Sequence, residues 1–312
     1  MNAGSAIGIF LLSFVGTAIL GLLSKWIDRK VTARVQWRVG PPWYQAFADI
    51  VKLLGKETIV PEGARRSGFL LWPLAGLAAV TLASAILWTV NIFPGTSFNG
   101  DLIVVWYLLT IPSLSVILGA SASGNPHGAV GASREMKLIL AYELPFMLAI
   151  LCVVFGATYA GGSVTFRLGE IIGAEMVGVL PAIACVIGFV IALLCIQAKL
   201  GLVPFDMPEA ETEIMGGVYV EYSGAALAVL QLTRAMMLAA LPVFAITVFW
   251  GGIAFSGLGI LWAILKYVLI LVVVVLIRNT NPRLRIDHAL KFFWFGATPV
   301  AVVAVILAMI PK

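Results

Sequence analysis

The sequence predicts an all-α, polytopic membrane protein of roughly eight transmembrane helices, with one further amphipathic helix at the cytoplasmic surface. Three observations carry that expectation. Of the 312 residues, 61% are hydrophobic and 11% are charged, whereas soluble domains carry about a quarter charged residues. The apolar runs are about twenty residues long, enough for helices to cross a bilayer and satisfy their own backbone groups, and they lack the short alternating segments of a barrel. The basic residues, finally, gather between alternate runs, as the positive-inside rule requires.

The first run, Ala6 to Leu23, is followed at once by Lys25, Arg29, Lys30, Arg34 and Arg38, so its C-terminal end is expected in the cytoplasm and the N-terminus outside. No basic n-region precedes it, and it reads as a retained helix. Between Arg34 and Arg66, Phe47, Ile50, Val51 and Leu54 recur at helical spacing opposite Asp49, Lys52 and Lys56, the pattern of a helix lying on the membrane surface. Further spans are expected at Phe69–Val90, Leu102–Ala120, Leu138–Tyr159, Met176–Gln197, Gly224–Phe249, Leu258–Ile277 and Phe292–Ile310, with a glycine-rich loop ending in Arg134 and Lys137 before the fourth. On this topology roughly sixteen of the twenty Lys and Arg fall on the cytoplasmic side, both termini lie outside, and residues 1–312 form a single integral membrane domain. The net charge of +5 follows from topology and asks for no nucleic-acid partner.

Cys152, Cys185 and Cys195 lie in apolar runs without metal-ligand spacing, and His127 and His288 fall in expected loops. The chain itself is therefore expected to carry no haem, iron–sulfur or nickel centre. Charge inside a membrane is costly and marks candidates for function. Glu143, one turn into the fourth span, is read as part of an ion path, with snorkelling or pairing to Arg134 or Lys137 as the plain alternatives. Lys266, in the seventh span, needs a carboxylate or a wet cavity and is a candidate proton carrier. Arg234, in the sixth, holds its proton and is assigned a structural or field-setting role.

The stretch PFDMPEAETEIMGGVYVEYSG, Pro204 to Gly224, collects Asp206, Glu209, Glu211, Glu213 and Glu221. Glu209 and Glu213, four apart, would repel on one helical face and favour proton uptake. The same stretch also fits a solvated acidic loop or a docking surface for a basic partner.

With RVGPPWYQAFADIVKLLGKE (38–57), GASREMKLILAYE (131–143) and RNTNPRLRIDHALKFFW (278–294), that stretch resembles the membrane subunit joining the peripheral arm to the membrane arm in respiratory complex I and energy-converting nickel-iron hydrogenases. The four blocks keep the family's order and span nearly the whole chain. Three departures from the complex I pattern tell against a quinone chamber: the direct passage from Gly40-Pro41 to Gln45, Met136-Lys137 and Ala141-Tyr142-Glu143 in the second block, and Arg234 where a Glu is usual. The chain is most similar to the membrane-bound and Ech-type hydrogenase branch. That resemblance implies a non-redox subunit of a ferredoxin-dependent oxidoreductase complex in the cell membrane of a bacterium or archaeon. Nickel-iron and iron–sulfur centres would lie in hydrogenase-like large and small peripheral subunits, and antiporter-like membrane subunits would attach laterally. Glu143, Asp206, Glu209, Glu211, Glu213 and Glu221 would line a proton or sodium route. The cytoplasmic segments bearing Arg38, Asp49, Lys52, Arg134, Arg283 and Asp287 would dock the peripheral arm. The equivalent subunit of a sulfane-sulfur, formate-linked, carbon-monoxide-linked or quinone-reducing enzyme, a passive anchor, and an autonomous transporter gated by Lys266 and Glu143 are the competing readings.

Overall fold

Long apolar runs leave the backbone no option but helix, and the computed structural model, which describes residues 3–158, 164–176, 178–255 and 257–310, contains eight helices long and apolar enough to cross a membrane. The first, α1 (Ala3–Val35), has 33 residues and is about 50 Å long, well beyond the ~30 Å apolar layer of a bilayer. The helix thus continues 12 residues past the expected end at Leu23, and Lys25, Asp28 and Arg29 sit on a rigid helical turn rather than in a loop. The surface helix α2 (Gln45–Leu54) buries Ala46 and Ile50 against α1 and α10 while Val51 and Leu54 stay exposed. Arg29 holds it through a 2.9 Å ion pair to Asp49, whose other oxygen accepts from Gln45.

That pair has a pH signature. Burial pushes the Asp49 carboxyl up, but the hydrogen bonds from Arg29 and Gln45 outweigh it and hold the group below its ordinary range. A depressed folded-state pKa adds stability above the unfolded pKa and loses it as pH falls through the folded value. Asp49→Asn is expected to weaken α2 docking by about 0.2–1 kcal/mol at neutral pH, the scale of half-exposed pairs. In thermal melts of the assembled complex, the difference from wild type should close in acid; a difference independent of pH contradicts this account.

After α2 the chain enters α3 (Arg66–Ile92) and a short outer turn, then a span in two pieces, α4 (Asp101–Leu108) and α5 (Ile111–Ala122). The interruption at Leu109 and Thr110 precedes Pro112, which lacks the N–H needed to continue the ladder. Asp101 is buried and accepts from the Leu168 backbone N–H at 2.7 Å, fastening the loop segment that follows the fourth span. Next, α6 (Pro126–Gly156) begins 12 residues before the expected start of that fourth span. The supposed glycine-rich loop is its first three turns: Asn125 caps them by accepting from the His127 N–H, and Pro126 sits at the first helical position. Arg134 and Glu135 therefore share one continuous helix with Glu143.

The strand pair β1 (Ala157–Thr158) and β2 (Glu175–Met176) is antiparallel and flanks α7 (Leu168–Ile172); α8 (Val179–Lys199) returns to the basic end. Residues 200–223 then fold as short turns around α9 (Glu211–Ile214). Gly131 lets this segment lie directly on α6, since a Cβ there would stand 2.9 Å from the Pro208 carbonyl and the Val218 nitrogen. The most buried span is α10 (Gly224–Phe249), with 83% of its apolar window inside, and α1 and α3 pack most extensively against it. Finally α11 (Gly259–Thr280) leads to α12 (Ile286–Lys291), a π-helical turn over Phe292–Ala297, and α13 (Thr298–Met309). The eighth span thus starts at Ile286, six residues before its expected beginning. Ser24 and Tyr267 hydroxyls, 2.5 Å apart, tie α1 to α11.

Candidate ion pathway

Glu143 points into the protein. It lies on α6 against the break between α4 and α5, where its carboxylate accepts from Trp106 Nε1 at 2.7 Å, from Thr110 Oγ1 at 2.9 Å and from Lys199 Nζ at 2.6 Å. Its partner is therefore neither Arg134 nor Lys137, the two that the sequence suggests. Lys199, the last residue of α8, has a fully buried side chain; it also donates to Thr110 and lies over the rings of Tyr142 and Phe146. A buried ammonium is tolerable only with such partners.

A second ionic group stands nearer the acidic segment. Arg234 on α10 donates to Glu209 at 2.8 Å and lies over the Tyr219 ring. Between the two pairs is a cavity of ≈ 50 Å³ lined by Ser113, Glu135, Lys199, Glu209, Tyr219 and Arg234. That volume has room for one or two waters, at about 30 Å³ each. Glu135 is buried on the face of α6 that carries Tyr142, with Ser113 beside both. The Tyr142 hydroxyl is itself buried and without a hydrogen-bond partner of standard geometry. The polar groups therefore run from Glu209 through Glu135 and the cavity to Lys199 and Glu143.

The acids of the 204–224 stretch do not gather in one cluster: Asp206, Glu209, Glu213 and Glu221 each have a different partner. Burial pushes the Glu209 carboxyl up despite Arg234, and pushes Asp206 up despite the 2.8 Å ion pair with Arg283. Each of these two carboxyls lies largely inside the protein beside an arginine. Glu211 and Glu213 are exposed, and Glu213 pairs outward with Arg134 at 2.5 Å. The expected repulsion between Glu209 and Glu213 is thereby corrected: a 3-10 turn ends at Glu209 before α9 begins, and the two carboxylates turn to different arginines. Glu221 accepts from the Asn125 side chain and braces the start of α6.

Lys266 belongs elsewhere. Its ammonium donates to the Trp250 carbonyl at 2.8 Å, at the far end of α10 from Arg234, a rise of about 24 Å along that helix. There it satisfies an orphan carbonyl and complements the negative end of the helix dipole. Lys266→Met is expected to cost about 1 kcal/mol of stability and to leave the ratio of ions moved to electrons transferred unchanged in the reconstituted complex. A changed ratio would restore Lys266 to the path.

The expected docking residues gather on the loop-rich face: Arg38, Lys52, Arg283 and Asp287 are exposed, Asp49 and Arg134 partly so. A groove of ≈ 120 Å³ there is lined by Arg134, Asp206, Glu213, Arg283, Arg285 and Asp287. Sequence reasoning missed Glu135 and Lys199. Among the described residues no three His, Cys, Asp or Glu converge as metal ligands, and the arrangement is one of ionic pairs and protonatable carboxyls.

A bundle of eight apolar helices, with one ion pair buried and a second partly buried among them and a charged loop-rich face, is the construction of an integral membrane protein. Residues 7–309 match the NADH dehydrogenase family, and the chain belongs to that family, within the superfamily of complex I and energy-converting hydrogenases. It is 31% identical to a subunit of the NADH-quinone oxidoreductase of Anoxybacillus flavithermus, across 98% of this chain and 93% of that one. The same subunit from Geobacillus kaustophilus is 30% identical across 99% and 92%. A chain of the membrane-bound sulfane sulfur reductase, an archaeal respiratory membrane complex, superposes with a TM-score of 0.84 at 30% identity, covering 96% of this chain and 99% of its own. The chain is thus a multi-pass membrane subunit of a complex I-like oxidoreductase.

Proposed function

We propose that this chain is the non-redox coupling subunit of a ferredoxin-dependent membrane complex of the energy-converting hydrogenase type, converting electron transfer in a peripheral arm into proton or sodium translocation. The observation that carries the proposal is the buried Lys199–Glu143 pair, whose lysine lines one cavity together with Glu135, Glu209 and Arg234. A passive anchor has no use for ionised groups in its interior, each of which costs several kcal/mol to desolvate. In this reading the basic face is cytoplasmic, and hydrogenase-like large and small subunits bearing the nickel-iron and iron–sulfur centres dock there. Asp206 and Glu209 sense the redox event, Arg234 and Lys199 hold fixed positive charge, and Glu143 passes the ionic disturbance towards antiporter-like subunits.

Two kinds of relative favour other terminal chemistry within the same architecture: the archaeal structure favours reduction of sulfane sulfur, and the bacterial chains favour a quinone. The short passage from Pro41 to Gln45 and Arg234 within the sixth span speak for the hydrogenase branch over the quinone one. Purification of the native complex, identification of its subunits by mass and assay of ferredoxin-driven hydrogen formation with coupled ion uptake in vesicles tests the proposal. Ferredoxin-driven sulfide formation without hydrogen would favour the sulfane-sulfur reading. A complex that reduces quinone and ignores ferredoxin would overturn the proposal.

A further inference from the structure

Behind Arg234, on the side of α10 away from Glu135, lies a larger cavity of ≈ 260 Å³ with different chemistry. Lys25, Asp28 and Arg29 reach it from one face of α1, being three and four residues apart. Gln231 and Arg234 reach it from α10, and Arg278 from the end of α11. Four cations and one carboxylate line one space.

Their described partners leave most of their hydrogen-bonding capacity unused. Arg29 gives one donor to Asp49, Arg278 one to Asp28 at 2.7 Å, Arg234 one to Glu209, and Lys25 one to Gln231 at 2.9 Å. A guanidinium has five N–H donors and an ammonium three. One acceptor in the same wall is also unused: Asp28 Oδ1 is buried and makes no hydrogen bond. The matching occupant is an anion with several acceptor oxygens that also carries a donor. A metal cation would be repelled by four like charges, and a purely apolar group would strip water from them without replacement.

The rim says where such an anion comes from. Arg29 and Arg278 are each 36% exposed, and the Arg29–Asp49 pair anchors α2 at that edge. Around α2, Trp43, Tyr44, Val51 and Leu54 are all more than half exposed, the amphipathic and aromatic surface that sits among lipid headgroups. We propose that this pocket binds the phosphate of a phospholipid headgroup, with Lys25, Arg29 and Arg278 donating to its oxygens and the headgroup ammonium or hydroxyl donating to Asp28 Oδ1. The occupant would neutralise the rear of Arg234 and stiffen the junction of α1, α2 and α11. The inference does not depend on the ion route.

The test uses the whole complex in nanodiscs of phosphatidylethanolamine, washed with detergent and then weighed by native mass spectrometry. Wild type and Lys25→Arg are expected to retain one phospholipid more than Lys25→Gln, whose retention should fall about tenfold on loss of a charge-assisted contact. Millimolar inorganic phosphate should not displace that lipid. On the wild-type complex alone, short-chain phosphatidylethanolamine should be retained and diacylglycerol of the same chain length should not, a comparison that needs no variant to fold. Binding of inorganic phosphate, dependent on Lys25 and without retained lipid, would keep the phosphate chemistry and overturn the lipid source. Equal retention by wild type and Lys25→Gln, or of phospholipid and diacylglycerol, overturns the proposal.

Discussion

On the proposed function, Glu143→Gln is expected to abolish ion translocation in the assembled complex while electron transfer continues, and to destabilise the chain by about 3 kcal/mol. The energetic part follows from the asymmetry of the pair. Lys199 is fully buried, and without the carboxylate's charge its ammonium keeps only neutral partners, the introduced amide oxygen, the Thr110 hydroxyl and the faces of Tyr142 and Phe146. Glu143 is better provided for: its side chain is 18% exposed, and Trp106 and Thr110 still donate to it when Lys199 is gone. Lys199→Met should therefore cost less than Glu143→Gln, about 1–2 kcal/mol. The double substitution should recover most of the loss, because it removes both charges, with a coupling of about 1–3 kcal/mol in a double-mutant cycle. Stability and function then separate: the double variant should assemble and melt near wild type, yet move no ions. Normal translocation in the double variant would mean that the pair is a structural staple and that the route runs elsewhere.

Why the sequence shows Glu143 and hides Lys199 is instructive. Hydropathy locates a charge well when apolar residues surround it on both sides, as with Glu143 in LAYELPF and Arg234 in LQLTRAMML. Lys199 ends an apolar run, where a lysine ordinarily snorkels to water. Its burial arises because α6 and the break between α4 and α5 close around the end of α8, a tertiary event with no local signature. Glu135 is hidden for a related reason: within SREMK it reads as part of a polar loop, and only the helical continuation of α6 turns it inward. The spans themselves were legible because lipid imposes one rule on all of them. Their ends were less so, since α1 and α6 extend past the apolar layer on polar residues that hydropathy assigns to loops. Lys266 is the reverse case: a charge in an apolar run that suggested chemistry and instead caps the end of a neighbouring helix.

At the other end of the route, Arg234→Gln is expected to make the protein's stability depend steeply on pH. Glu209 already has its pKa raised by burial, with Arg234 opposing that rise. A raised carboxyl pKa means that the folded state binds the proton more tightly than the unfolded chain, so stability falls as pH rises from the unfolded value through the folded one. Without Arg234 the rise is larger, and the penalty for ionising Glu209 grows. The side chains of this pair are 30% and 24% exposed, which places the loss between a surface and a buried pair, about 2 kcal/mol at alkaline pH. It should shrink as the solution is acidified and Glu209 takes up its proton. Arg234→Gln combined with Glu209→Gln should flatten the profile, since the titrating group is gone. In the coupling reading, Arg234→Gln also keeps Glu209 protonated through the redox cycle, so ions moved per electron should fall at neutral pH and recover partly as pH is raised. Stability and coupling would thus move in opposite directions with pH, a pattern that a merely structural arginine does not produce. Melting curves and flux ratios that shift together would remove Arg234 and Glu209 from the proposed route.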